Sequence, residues 1–102
     1  MQIDTKYGSY ELIENYRDAF DIQKFEDRYI TEIYDKFSYL VGDISSEILR
    51  LKGFSLDSKS INYFHYIPEY ITESCAYNCK YYVLKRIKNN QQNNKKRDET
   101  NE

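Results

Sequence analysis

Glycine, proline, cysteine and histidine are all scarce in this chain, with three Gly, one Pro, two Cys and one His among 102 residues. Three glycines cannot furnish a phosphate-cradling loop, and no nucleophile motif is present. Two cysteines do not make a disulfide framework and no leader segment is read at the N-terminus, so a reducing cytoplasm is the expected compartment. Cys75 and Cys79 stand four apart with His65 ten residues upstream, a set whose thiolates and imidazole would suit zinc. The spacing departs from the usual CxxC pairs and no second pair exists, so the expected role is that of small buried residues and no metal site is assigned. A catalytic thiol would need a neighbouring base, and His65 is the single histidine available. No apolar run approaches the roughly 18 residues of a membrane span. The chain reads as soluble, without cofactor, and not as an enzyme.

What is abundant is tyrosine: 12 Tyr and 5 Phe offer large areas to bury, with hydroxyls that can stay wet at the rim of a core. Charge is unevenly spread. Residues 1–84 carry nine Lys and Arg against fourteen Asp and Glu, whereas residues 85–102 carry six against three. An acidic body argues against general nucleic-acid binding by an overall positive field, although a local basic face remains compatible with it. Residues 1–88 read as one domain, and residues 89–102, a polar Asn/Gln/Lys-rich stretch without apolar residues, read as a disordered tail.

The element pattern is that of an α+β domain. Gln2 to Lys6 and Tyr10 to Glu14 flank Tyr7-Gly8-Ser9 as a hairpin. Asp21 is a good N-cap, Phe20 and Phe25 occupy the staple positions, and Phe25, Tyr29 and Ile33 recur every four residues, which predicts a helix from Ile22 to Lys36. Tyr39-Leu40-Val41 and Glu47 to Phe54 read as antiparallel strands joined through Asp43 to Ser46. Pro68 suits the first turn of a second helix ending near Cys75, and Tyr77 to Ile87 reads as a last strand. The predicted order is β(β)αββαβ: an antiparallel sheet with two helices on one face, approaching the split βαβ arrangement of ferredoxin-like folds. The expected core is Leu12, Phe25, Tyr29, Ile33, Leu40, Val41, Leu49, Leu51, Ile71 and Val83.

Six segments in order carry a family resemblance. They are Tyr10-Glu11-Leu12-Ile13, Tyr16-Arg17-Asp18-Ala19-Phe20, Phe25 with Arg28-Tyr29, Tyr39-Leu40-Val41-Gly42-Asp43, Leu49-Arg50-Leu51-Lys52-Gly53-Phe54, and Cys75 with Cys79 through Leu84. Together they resemble the YutD-like family of Firmicutes over nearly the whole predicted domain. The chain departs from the family at Ile44-Ser45-Ser46-Glu47, where relatives carry an aromatic and glycine-rich link. The resemblance implies a small cytosolic α+β domain of unestablished biochemical function.

Strand alternation gives the candidate site. If Leu49 and Leu51 face the helices, Ile48, Arg50, Lys52 and Phe54 face away; if Tyr81 and Val83 face the helices, Lys80, Tyr82, Leu84, Arg86 and Lys88 face away. Side by side, these rows would form an open face of cations and aromatics. Exposed Ile48, Phe54, Tyr82 and Leu84 would serve a protein partner or a homodimer seam, the favoured reading of a non-catalytic interaction or adaptor module. The alternative is RNA, with bases stacked on Phe54 and Tyr82 and phosphates met by Arg50, Lys52, Arg86 and Lys88. Arg17-Asp18 is expected to anchor a connector, and Asp43 to belong to turn chemistry at a strand end.

Overall fold

The computed structural model describes residues 1–74 and 79–87. Five strands, β1 (Gln2–Thr5), β2 (Gly8–Tyr16), β3 (Tyr39–Ser45), β4 (Ile48–Phe54) and β5 (Lys80–Arg86), form one sheet in the order β1-β2-β5-β3-β4. Every pairing is antiparallel. Helices α1 (Ile22–Arg28) and α2 (Thr31–Tyr34) connect β2 to β3, and a single 3-10 turn at Phe64–Tyr66 leads into α3 (Ile67–Ser74) between β4 and β5. Asp21 caps α1, its Oδ1 accepting from the Gln23 and Lys24 amides, and the rings of Phe20 and Phe25 lie 6.0 Å apart behind it.

The helices do not share a face. Tyr10, Leu40, Leu49, Tyr82 and Leu84 pack with Phe25 and Tyr29 in one cluster, while Val41, Phe54 and Val83 pack with Ile67, Tyr70 and Ile71 in another. The sheet is therefore the middle layer, with α1 and α2 below and α3 above, in place of the expected two-layer arrangement. Both helical connections do join parallel strands split by an antiparallel one, β5 between β2 and β3, and β3 between β4 and β5. Their placement on opposite faces separates the architecture from a ferredoxin-like sandwich. The short run Leu40-Val41 already contains the reason: adjacent residues point to opposite faces, and both are fully buried.

The helix expected over Ile22 to Lys36 is broken at Tyr29 and Ile30, whose backbones are extended. An aromatic followed by β-branched Ile30 and Thr31 is poor helix material, and the break serves Tyr29. Its ring stacks on Tyr7 with centroids 4.4 Å apart, and its hydroxyl donates to Asp35 while accepting from Arg86 Nη2 at 2.9 Å. The break also turns Ile33 outward to 45% exposure, which removes it from the expected core. Tyr82, Leu84 and Phe54, none of them expected in the core, are among its most buried members, together with Tyr10.

Two further turns differ from expectation. The first hairpin turns at Lys6-Tyr7, since Thr5 already pairs with Gly8. The β3–β4 hairpin turns at Ser46-Glu47, both with left-handed backbone, φ 51° and 66°, because Asp43, Ile44 and Ser45 continue the strand. This is the backbone of a tight two-residue turn that Asn-Gly pairs favour. Glu47→Gly is accordingly expected to raise stability by about 1 kcal/mol in chemical denaturation, since glycine has no Cβ penalty at that φ.

One side chain ties the sheet to the α1/α2 layer. Arg86, opposite Tyr10 in the β2–β5 ladder, donates from Nε to the Phe37 carbonyl at 3.0 Å and from Nη2 to the Tyr34 carbonyl at 3.0 Å, with its guanidinium 5.0 Å from the centre of the Tyr10 ring. It satisfies carbonyls left over where α2 ends. Arg86→Met keeps the stem but leaves those acceptors unmet, and should cost about 3 kcal/mol in urea unfolding, two unmade hydrogen bonds to a charged donor.

Candidate functional site

The predicted open sheet face is not formed. β3 lies between β4 and β5, and the two rows point in opposite directions: Leu49 and Leu51 share the α1/α2 side with Tyr82, Leu84 and Arg86, whereas Arg50, Lys52 and Phe54 share the α3 side with Tyr81 and Val83. Tyr82 and Phe54, the expected stacking platforms, are 1% and 2% exposed. Gly42 explains part of this packing, because a Cβ there would overlap the Tyr82 ring. The Tyr82 hydroxyl is buried without a hydrogen-bond partner among the described residues, and its burial pushes the phenol well above its ordinary pKa. Arg86 is spent on the contacts above. Lys80 is exposed at the start of β5, away from Arg50 and Lys52. Lys88 and Cys75 lie outside the described residues, and with Cys75 the question of a Cys75–Cys79–His65 set. Among the described residues no group of three or more His, Cys, Asp or Glu could hold a metal ion.

Asp43 is not in a turn. It sits in the middle of β3, 1% exposed, with Oδ1 accepting from Arg50 Nε at 2.8 Å and Oδ2 from the Tyr70 hydroxyl at 3.1 Å. A carboxylate whose two oxygens are taken by neighbours, in a covered position, is poorly placed for proton transfer to an incoming group. It joins β3, β4 and α3 instead. No signal in the local sequence marks Asp43 as buried, since Gly-Asp reads as a turn and Tyr70 is 27 residues away. Arg17 and Asp18 form the corner between β2 and α1, both left-handed at φ 60° and 56°. Asn15 braces that corner, its Oδ1 accepting from the Phe20 amide at 2.9 Å.

Several of the exposed apolar residues lie along the outer edge of β4. A shallow cleft of about 400 Å³ is lined by Lys24, Asp27, Arg28, Glu47, Ile48 and Leu49. Beside it, others are lined by Ile30, Tyr34, Arg50 and Leu51, and by Ile33, Phe37, Lys52 and Gly53. Ile30, Ile33 and Ile48 are 47%, 45% and 54% exposed, and Ile61, beside Lys52 on the α3 side, is 91% exposed. Sequence reading singles out Ile48, Arg50 and Lys52 but misses Ile30, Ile33 and Ile61, because helical periodicity assigns Ile33 to the core and Ile61 stands in a polar loop. The edge thus has apolar borders on both faces and two cations along its α3 side.

A family model described as "Putative antitoxin YutD-like" matches residues 3–85. This chain belongs to the YutD-like family. It is 41% identical over 85 residues to "Putative antitoxin YutD" of Bacillus subtilis, covering 79% of this chain and 92% of that protein. The solution NMR structure of the B. subtilis protein yutD is similar to it with a TM-score of 0.69 at 33% identity, covering 99% of this chain and 88% of that one. The YutD-like domain seen here has no helix among its described residues long and apolar enough to cross a membrane.

The Asp43 cluster makes an alkaline prediction. Burial, then the Asp43 charge and hydrogen bond, push the Tyr70 hydroxyl up to about 12. A phenol whose pKa is raised on folding contributes stability that is complete below pH 10, its unfolded value, and is lost as pH climbs towards 12. Stability measured by urea titration should therefore fall between pH 10 and 12 in the native chain, and fall less steeply in Tyr70→Phe.

Proposed function

We propose that this YutD-like chain is a non-catalytic protein-binding domain of antitoxin type, which acts by occupying a protein partner. The observation that carries this reading is the concentration of exposed isoleucines, Ile30, Ile33 and Ile48, around the clefts along β4. Apolar side chains gathered at one place on a small domain mark a protein contact, and flanking cations set its orientation. The names of the family and of its B. subtilis relative support a protein target, since an antitoxin works by countering another molecule. The lack of acid-base geometry at Asp43 supports a role in binding rather than catalysis. An RNA reading loses its support with the sheet face that motivated it, because both faces are covered by helices.

The test is capture from a native lysate by the full chain, with and without nuclease treatment and at low and high salt, followed by expression of the captured protein alone and together with this chain. The expected result is a stoichiometric protein complex that survives high salt, whose captured member inhibits growth alone and not when co-expressed. Recovery only of nucleic acid, lost as salt rises, would show an RNA binder instead.

A further inference from the structure

We propose that the outer edge of β4, from Ile48 to Lys52, is a strand-addition site, and that its occupant is an extended segment of a partner protein in which apolar residues alternate with Asp or Glu. This rests on the protein-binding reading above and specifies how the contact is made. The sheet ends at β4, which pairs with β3 along one side alone. An edge strand offers a row of backbone donors and acceptors that a further chain can continue. At Leu51 one such acceptor is met from α2, where the Tyr34 hydroxyl donates to its carbonyl at 3.3 Å, a long bond that an incoming amide replaces. Asn62 stands beside Lys52 and Gly53 and closes the far end, so the open stretch runs from Ile48 to Lys52.

The chemistry of the occupant follows from alternation. Every second side chain of an added strand would lie on the α1/α2 side, over Leu49 and Leu51 and against Ile30 and Ile33, and this row calls for apolar residues. The intervening side chains would lie on the α3 side, opposite Arg50 and Lys52. Glu69 and Glu73 of α3 line a cleft with Lys52, and directly opposed residues on paired strands approach to about 5 Å, so carboxylates on the added strand complement Arg50 and Lys52 in this row. Arg50 keeps a side chain 52% exposed even while it holds Asp43. A second copy of this chain fails the same test. A two-fold-related β4 continuing the sheet pairs residues of one face, and registers centred on Arg50, Leu51 or Lys52 oppose Arg50 to Arg50, Arg50 to Lys52, or Lys52 to Lys52, while the register centred on Leu49 opposes Ile48 to Arg50 but reaches into Ser46 and Glu47, whose left-handed backbone does not continue a strand. Like charges directly opposed are destabilising, which favours a different protein as the occupant.

The experiment uses the full chain with two synthetic peptides, one alternating Val with Glu and one alternating Val with Lys, followed by amide hydrogen exchange in NMR. The Val/Glu peptide should slow exchange of the outward-facing β4 amides about tenfold, and N-methylation of its alternate amides should abolish the effect. Lys52→Glu, which leaves the Asp43 contacts in place, should weaken the Val/Glu peptide and admit the Val/Lys one. Protection elsewhere, no protection by either peptide, or indifference to N-methylation overturns the proposal, and β4 is then an edge guarded by its own cations. The two levels fail separately. A captured protein that leaves β4 amides unprotected overturns strand addition while the protein-binding reading stands. Protection of β4 by the peptide without any captured protein overturns the protein-binding reading while the edge remains a strand-addition site.

Discussion

Arg86 is the contact on which the rest of the arrangement depends. It lies on the last strand yet holds the carbonyls of Tyr34 and Phe37, the hydroxyl of Tyr29 and the face of the Tyr10 ring. Through these it binds β5 to β2 and to the segment that closes α2, residues separated by about fifty positions in the chain. A guanidinium can do this because its donors diverge in a plane and it stays charged at any pH of interest, so it serves several acceptors at once. Tyr29 answers it by breaking the helix: the extended backbone at Tyr29 and Ile30 lets the ring stack on Tyr7 while its hydroxyl sits between Arg86 and Asp35. That same break presents Ile30 and Ile33 to solvent, so the device that secures the fold also supplies the apolar border of the β4 edge.

The Asp43–Arg50–Tyr70 contact does for the upper layer what Arg86 does for the lower. With helices on both faces, the broad surfaces of the sheet are consumed by packing, and among the strands the outer side of β4 is left without a neighbouring strand. β1 occupies the other end of the sheet, where the Met1 amino group pairs with Glu11 at 2.9 Å, and no comparable gathering of isoleucines borders it among the described residues. An edge with apolar borders and a single-sign charge row differs from the broad basic face that alternation alone suggests, though it reuses Ile48, Arg50 and Lys52.

Much of the fold is legible locally. The Asp21 cap, the Phe20–Phe25 staple and the alternation of Leu49 and Leu51 against Arg50 and Lys52 are short-range signals that the structure repeats at the expected positions. The resemblance carried by segments such as YLVGD and LRLKGF also points to the right family. Errors arise wherever a local signal has two meanings. Gly42-Asp43 resembles a turn but is the centre of a strand, because Tyr70 and Arg50 receive the carboxylate there. Ile33 keeps helical spacing from Phe25, yet the helix does not survive as far as Ile33. Alternation alone turns Tyr82 and Leu84 outward although they are core, and the site built on them dissolves with that assignment.

By itself the sequence determined an acidic, aromatic-rich α+β domain, the approximate position of its strands and helices, and the division of each strand into two alternating rows. What only the tertiary structure decided was which row of one strand shares a face with which row of another. Alternation with period two is unchanged when a strand is turned over, so it carries no information about relative facing until pairing is known. A bulge decides it within β2: pairing passes from Leu12–Leu84 directly to Glu14–Val83, leaving Ile13 out, and so Tyr10 and Leu12 join the α1 side while Glu14 and Tyr16 meet Tyr81 on the other. Strand order then set β3 between β4 and β5, buried both of its faces, and left β4 at one end of the sheet.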